Sequence, residues 1–141
     1  MKPVRWTVAA VLLLGCGMRQ NFSGDYAGSV EATAMDPDGG RRRVTAGETW
    51  VVRSGDSSWP AKSSYHLAIT RTGEAACELA GARGAGYQMD LAAGQTCVRD
   101  GVTVTLDEGS FHGRDNVNVA LMWSLPSGGK LKEEGTLTMK K

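Results

Sequence analysis

The sequence predicts an all-β fold for most of its 141 residues: a small antiparallel up-and-down β-barrel of about eight strands, with a β-sandwich as the alternative. Three observations predict it. Apolar and polar residues alternate with a period of two in one run after another. Clusters of Gly, Asp, Asn, Ser and Pro separate the runs at short intervals. No window beyond the first fifteen residues carries the apolar stripe of an amphipathic helix.

The runs follow in chain order. Tyr26, Gly28, Val30 and Ala32 alternate with Ala27, Ser29, Glu31 and Thr33. Further strands are expected over 43–53 and 76–82. Tyr65, Leu67 and Ile69 face away from His66, Ala68 and Thr70, and Tyr87, Met89 and Leu91 from Gln88 and Asp90. Val102, Val104 and Leu106 alternate with Thr103 and Thr105. In 116–125 the pattern is fullest, with Val117, Val119, Leu121, Trp123 and Leu125 on one side. A last strand starts near Lys130 and includes Leu137 and Met139. Turn chemistry lies between the runs at Asp36-Pro37-Asp38-Gly39-Gly40, Ser54-Gly55-Asp56, Thr72-Gly73, Gly84-Ala85-Gly86, Asp100-Gly101, Gly113-Arg114-Asp115 and Ser127-Gly128-Gly129. Strands joined mostly by tight turns form a meander, and closing a meander removes its two exposed edges.

The N-terminus reads as an export signal. Lys2 and Arg5 precede the apolar run Thr7 to Leu14, which is too short to span a bilayer. Leu13-Leu14-Gly15-Cys16 resembles the bacterial lipobox cut by the lipoprotein signal peptidase. The resemblance implies a diacylglyceryl thioether on Cys16, cleavage before it and acylation of the new amine, as in that family. Residues 1–15 are then the lipoprotein signal peptide, 16–21 the acylated cysteine and a polar tether, and 22–141 a single β domain. Two or three acyl chains give stable attachment where one does not. Gly17 in place of an Asp after the cysteine implies, by the same resemblance, the outer membrane of a double-membraned bacterium.

Removing Lys2 and Arg5 takes the formal charge from +1 to −1. A nearly neutral domain offers no basic footprint for nucleic acid. With Cys16 committed to lipid, Cys77 and Cys97 remain as an even pair, which in an oxidising envelope reads as a disulfide. Two unpaired buried thiols and a metal pair are the alternatives. With strands up, down and up over 65–71, 76–82 and 86–92, Cys77 opens the middle strand. Cys97 then falls on the loop beyond the third, at the same rim.

The remaining residues suggest no catalytic centre, cofactor or metal site. His66 and His112 lie far apart on different elements. Asp36-x-Asp38-Gly39 lacks the further ligands of a calcium loop and reads as a hairpin turn. Gly55-Asp56-Ser57 has no strand-to-helix elbow to make Ser57 a nucleophile. Arg41-Arg42-Arg43 reads as a solvated strand start. Asp107-Glu108 and Glu133-Glu134 sit beside turns, and neighbours on a strand face opposite sides. Trp123 belongs to an apolar face, and Trp59 to a polar loop, where it either packs over the barrel end or stands exposed at a mouth or contact surface.

Phe22-Ser23-Gly24-x-Tyr26-x-Gly28, the cysteine pair with Gly94-Gln95-Thr96-Cys97, and Gly135-Thr136-Leu137-Thr138 are together similar to small Gly- and Thr-rich lipoproteins of myxobacterial type over residues 21–141. Gly24-Asp25-Tyr26 more distantly resembles the first strand of lipocalin-like barrels, with Tyr where those carry Trp. The anchor, with no catalytic constellation beside it, points to a non-catalytic envelope lipoprotein, an interaction or structural module held to the membrane by its lipid, with an envelope protein as partner. The alternative is a carrier of a small apolar ligand inside the barrel, and an enzyme comes third.

Overall fold

A computed structural model describes residues 21–54 and 64–141, so Cys16, Gly55-Asp56-Ser57 and Trp59 lie outside the described residues. Among the described residues nine strands follow one another: β1 (Gly24–Met35), β2 (Arg41–Ser54), β3 (Ser64–Arg71), β4 (Cys77–Arg83), β5 (Gln88–Leu91), β6 (Thr96–Arg99), β7 (Val102–Gly113), β8 (Asn116–Ser124) and β9 (Lys130–Met139). Every pairing is antiparallel. β1 pairs with both β2 and β9, and β5 with both β4 and β7, so the meander closes into an eight-stranded up-and-down barrel. β6 is the additional strand.

The long β7 explains that extra element. Its second half pairs with β5, from Leu91↔Gly109 to Gln88↔His112, and its first half with β6, from Thr96↔Thr105 to Arg99↔Val102. β5 and β6 therefore share one position in the wall, interrupted at 92–95. Cys97, expected on a loop, is in β6. Two further expectations change at strand ends. Tyr87 lies in the turn before β5, and Val102 opens β7 at the rim; both are exposed despite their inward parity. Alternation buries a residue only where a wall stands opposite. Asp100 and Gly101, with φ of 50° and 75°, make the tight β6–β7 hairpin in the left-handed conformation that Asp-Gly adopts readily.

The break in the shared position leaves a seam. β4 and β5 pair over only Gly81↔Leu91, Ala82↔Asp90 and Arg83↔Met89. Beyond them one backbone bond, from Ala92 N–H to the Ala80 carbonyl at 3.2 Å, remains, and Gln95 takes over. The Ala80 N–H donates to its Oε1 at 2.6 Å, and its Nε2 donates to the carbonyls of Ala80 at 3.0 Å and Ala92 at 2.7 Å. Its own carbonyl accepts from Leu106 N–H at 2.7 Å, so one residue links β4 to β7. The Cys77–Cys97 disulfide, Cα atoms 5.5 Å apart, closes the same seam nearer the rim.

The inward faces are those that alternation assigns: Tyr26, Val30 and Ala32, then Tyr65, Leu67 and Ile69, then Val117, Val119, Leu121 and Trp123 are all buried. An eight-stranded barrel is just wide enough for such side chains to fill it. At the end where the chain enters, Phe22 forms a plug. Its ring meets Tyr65 and Phe111 edge-on at 5.4 and 5.7 Å, and Phe111 meets Tyr26 at 4.9 Å and Trp50 at 6.0 Å. The Tyr26 hydroxyl donates to the Phe22 carbonyl at 3.0 Å. Burial, with Asp115 adding to it, pushes the Tyr26 phenol up to about 12, so it stays a neutral donor.

Candidate functional site

Towards the opposite rim the interior changes character. Glu48, Arg71, Arg99 and Glu133 are buried there, among β2, β3, β6 and β9. Each stands at an inward position of its strand: Glu48 in phase with Trp50 and Val52, Arg71 with Leu67 and Ile69, Arg99 with Cys97, Glu133 with Leu131 and Leu137. Charged residues at inward parity were the signal in the sequence. Of these four only Glu133 drew notice there, as half of an adjacent pair.

The four side chains satisfy one another. Arg71 donates to Glu48 Oε1 from Nε at 3.3 Å and from Nη2 at 3.1 Å, and Nη2 also bonds Glu133 Oε1. Arg99 Nε donates to the same Glu133 oxygen at 3.1 Å. The second oxygen of each glutamate accepts an indole N–H: Trp50 Nε1 to Glu48 at 2.9 Å, Trp123 Nε1 to Glu133 at 3.2 Å. Arg99 lies over the Trp123 ring, 5.7 Å from its centroid, and reaches Glu74 on the β3–β4 loop through Nη1 at 3.4 Å. Its Nη2 is buried without a hydrogen-bond partner among the described residues.

Burial pushes the Glu48 carboxyl above its ordinary value, against the lowering by the Trp50 N–H and the two arginines. Burial also works against the Arg71 cation, but Glu133 and Glu48 outweigh it and its pKa rises. Both oxygens of both buried glutamates already accept hydrogen bonds. The cluster is built as a charge-matched polar filling for the upper barrel, with indoles and arginines fixing each carboxylate.

The two adjacent acidic pairs behave differently. Glu133 points in, while Glu134 points out and pairs with Lys132 at 2.7 Å, as alternation requires. Asp107-Glu108 departs from that expectation. The pair stands within β7, not beside a turn, and a β-bulge falls between Leu106 and Glu108. The extra residue cancels one alternation, so both carboxylates line the outer wall. Asp107 accepts hydrogen bonds from Lys130 at 2.6 Å and from the Ser124 hydroxyl at 2.7 Å, and these bonds hold the Asp107 carboxyl below the usual range.

That bulge borders a cavity of about 430 Å³ on the outside of the barrel, across β5, β7, β8 and β9. Asp90, Asp107, Glu108 and Lys132 edge it, and Met122 on the outer face of β8 lines it. Gly109 in β7, beside the bulge, leaves room for the inward-facing leucines next to it, since a Cβ there would stand 2.8 Å from Leu121 Cδ2 and 3.0 Å from Leu91 Cβ.

The other sequence candidates stay apart. His66 on β3 and His112 on β7 are both exposed and on non-neighbouring strands. Asp36 to Gly40 form the β1–β2 turn, with Gly40 N–H donating to Asp38 Oδ1 at 3.2 Å. Arg41, Arg42 and Arg43 are exposed at the start of β2, and Arg43 pairs with Glu31 at 3.3 Å. Among the described residues no three His, Cys, Asp or Glu side chains are placed to hold a metal ion.

Fold and interior together define a small up-and-down β-barrel whose lumen is occupied by its own side chains. No protein family, curated protein or solved structure matches the chain.

Proposed function

We propose that this protein is a non-catalytic envelope lipoprotein, anchored through acylated Cys16 in the outer membrane, whose barrel works as an interaction module through its outer surface. The observation that carries the reading is the filled lumen. Phe22, Tyr26, Trp50, Phe111 and Trp123 are fully buried, and the Glu48–Arg71–Glu133–Arg99 cluster continues the filling towards the far rim. A carrier of an apolar ligand would need that space free, which weighs against the lipocalin-like alternative. Support for the anchor comes from Leu13-Leu14-Gly15-Cys16 and the short tether to Phe22. The resemblance to Gly- and Thr-rich lipoproteins of myxobacterial type adds to it.

Mass spectrometry of the membrane-extracted protein tests the anchor; an unmodified Cys16 in the mature chain would overturn it. Affinity capture of the acylated protein from its own envelope tests the module. A stoichiometric protein partner is the expected result. Co-purification of a small apolar molecule in equal amount would favour the carrier instead.

A further inference from the structure

We infer that the end of the barrel bearing the tether is a membrane-docking face that fits anionic phospholipid headgroups, so that the domain stands upright on the bilayer. This rests on the lipid-anchor reading above.

Where the outlying chain ends is the first argument. Six residue steps separate Cys16 from Phe22, a reach of at most about 20 Å. Phe22 cannot swing away, since it is fully buried and bonded through its carbonyl to the Tyr26 hydroxyl. The anchored lipid therefore holds this end, and no other, next to the headgroups.

Charge is the second. Among the described residues this end carries Arg53, Arg83, Arg114, Lys140 and Lys141, against Asp25, Asp90 and Asp115. Over the rest of the described residues seven cations face eleven carboxylates. The domain is thus polarised, its positive end towards the tether. Net charge alone hides this, because the two ends carry opposite signs and partly cancel. Clustered cations close to an anionic leaflet are drawn to it, and the attraction fades within a Debye length.

An aromatic supplies the third. Tyr87, exposed in the β4–β5 turn, has its ring beneath the Arg114 guanidinium, 4.1 Å from Cζ to centroid, and its hydroxyl bonds the same group. Tyrosine and arginine paired in this way present both an apolar ring and a phosphate-binding fork, which suits a headgroup region.

Chemical labelling of the acylated protein on vesicles tests the inference, because reactive residues stand at both ends. Lys140 and Lys141 lie at the tether end, and Lys130 and Lys132 begin β9 near the other. Tyr87 is the exposed tyrosine, whereas Tyr26 and Tyr65 are buried. The comparison is between phosphatidylcholine vesicles and vesicles holding about 30% phosphatidylglycerol. On the anionic vesicles acetylation of Lys140 and Lys141 and nitration of Tyr87 should fall by about fivefold, with Lys130 and Lys132 unchanged. The difference should vanish in about 0.5 M salt. In Arg114→Glu/Lys140→Glu/Lys141→Glu, with all three changes at exposed positions, Tyr87 should be nitrated equally on both vesicles. Flotation separates the two readings. A protein that floats with both vesicles but labels identically on each would overturn the docking face and keep the anchor. One that floats only with anionic vesicles would overturn the anchor and keep the face, and one that floats with neither would overturn both.

Discussion

At the tether end of the barrel the lumen is filled by the rings of Phe22, Tyr26, Tyr65, Trp50 and Phe111; towards the other end it is filled by Glu48, Arg71, Arg99 and Glu133. The same wall encloses both. Apolar filling gains from leaving water and tolerates local repacking, with a cost that grows with the cavity left behind. A charged filling gains little net stability, because desolvation cancels most of the attraction, yet it fails badly when one member is removed. The contrast is therefore one of fragility more than of strength. The charged end has a further liability, since it lies where the wall is least continuous, beside the seam that Gln95 and the Cys77–Cys97 disulfide close.

Four groups of substitutions sharpen that comparison. Glu133→Ala should have the largest effect, about 3–5 kcal/mol, because it leaves Arg71 with Glu48 alone and Arg99 with Glu74 alone and removes the acceptor of the Trp123 N–H, all in a buried site. Denaturant unfolding measures it. Combining it with Arg99→Met should cost clearly less than the sum of the single changes, with a coupling of about 0.5–3 kcal/mol. Strict additivity would break the picture of one cluster.

In the apolar wall, Leu121→Ala should cost about 2–5 kcal/mol, since Leu121 is buried. Its neighbour Met122, only half-buried beside the outer cavity, should cost much less on truncation. The reverse order would mean that the strand register is wrong.

The seam comes next. Closing a loop between positions 77 and 97 should be worth about 3 kcal/mol through the unfolded chain, so Cys77→Ser/Cys97→Ser should lose about that much. Gln95→Ala should lose a further 1–2 kcal/mol, about what its side-chain bonds to Ala80 and Ala92 contribute. Hydrogen exchange at Ala80 and Ala92 should then quicken before that of β8. Uniform quickening would argue against a local seam.

The smallest effect is a pH dependence. Burial raises the Glu48 pKa, so over that range the folded state binds more protons than the unfolded one. Its contribution is then fully present below the ordinary carboxylate value and is lost as pH rises through the raised one. Glu48→Gln should flatten that part of the stability–pH curve while keeping an acceptor for the Trp50 N–H. An unchanged curve would assign the dependence to other groups.

Much of the barrel was legible in the chain. The alternation in 65–69 and 116–124, the Asp-Gly hairpin at 100–101 and the meander all follow from two-residue periodicity and turn chemistry, which are local. Parity also places Glu48, Arg71, Arg99 and Glu133 inward, yet in the sequence alone only Glu133 stood out, and only as half of an adjacent acidic pair. What joins them is a long-range fact: they come from four strands as far apart in sequence as β2 and β9, and ring closure alone brings them within hydrogen-bond reach. The same holds where local pattern misled. A bulge at Asp107 turned two neighbouring carboxylates to one wall, and β7 proved long enough to pair with two short strands at once, making β6 out of an expected loop. Sequence by itself determined which residues prefer the inside of a strand. Which of them meet across the lumen was decided by the closed sheet, because register and closure depend on pairings between segments that no local pattern encodes.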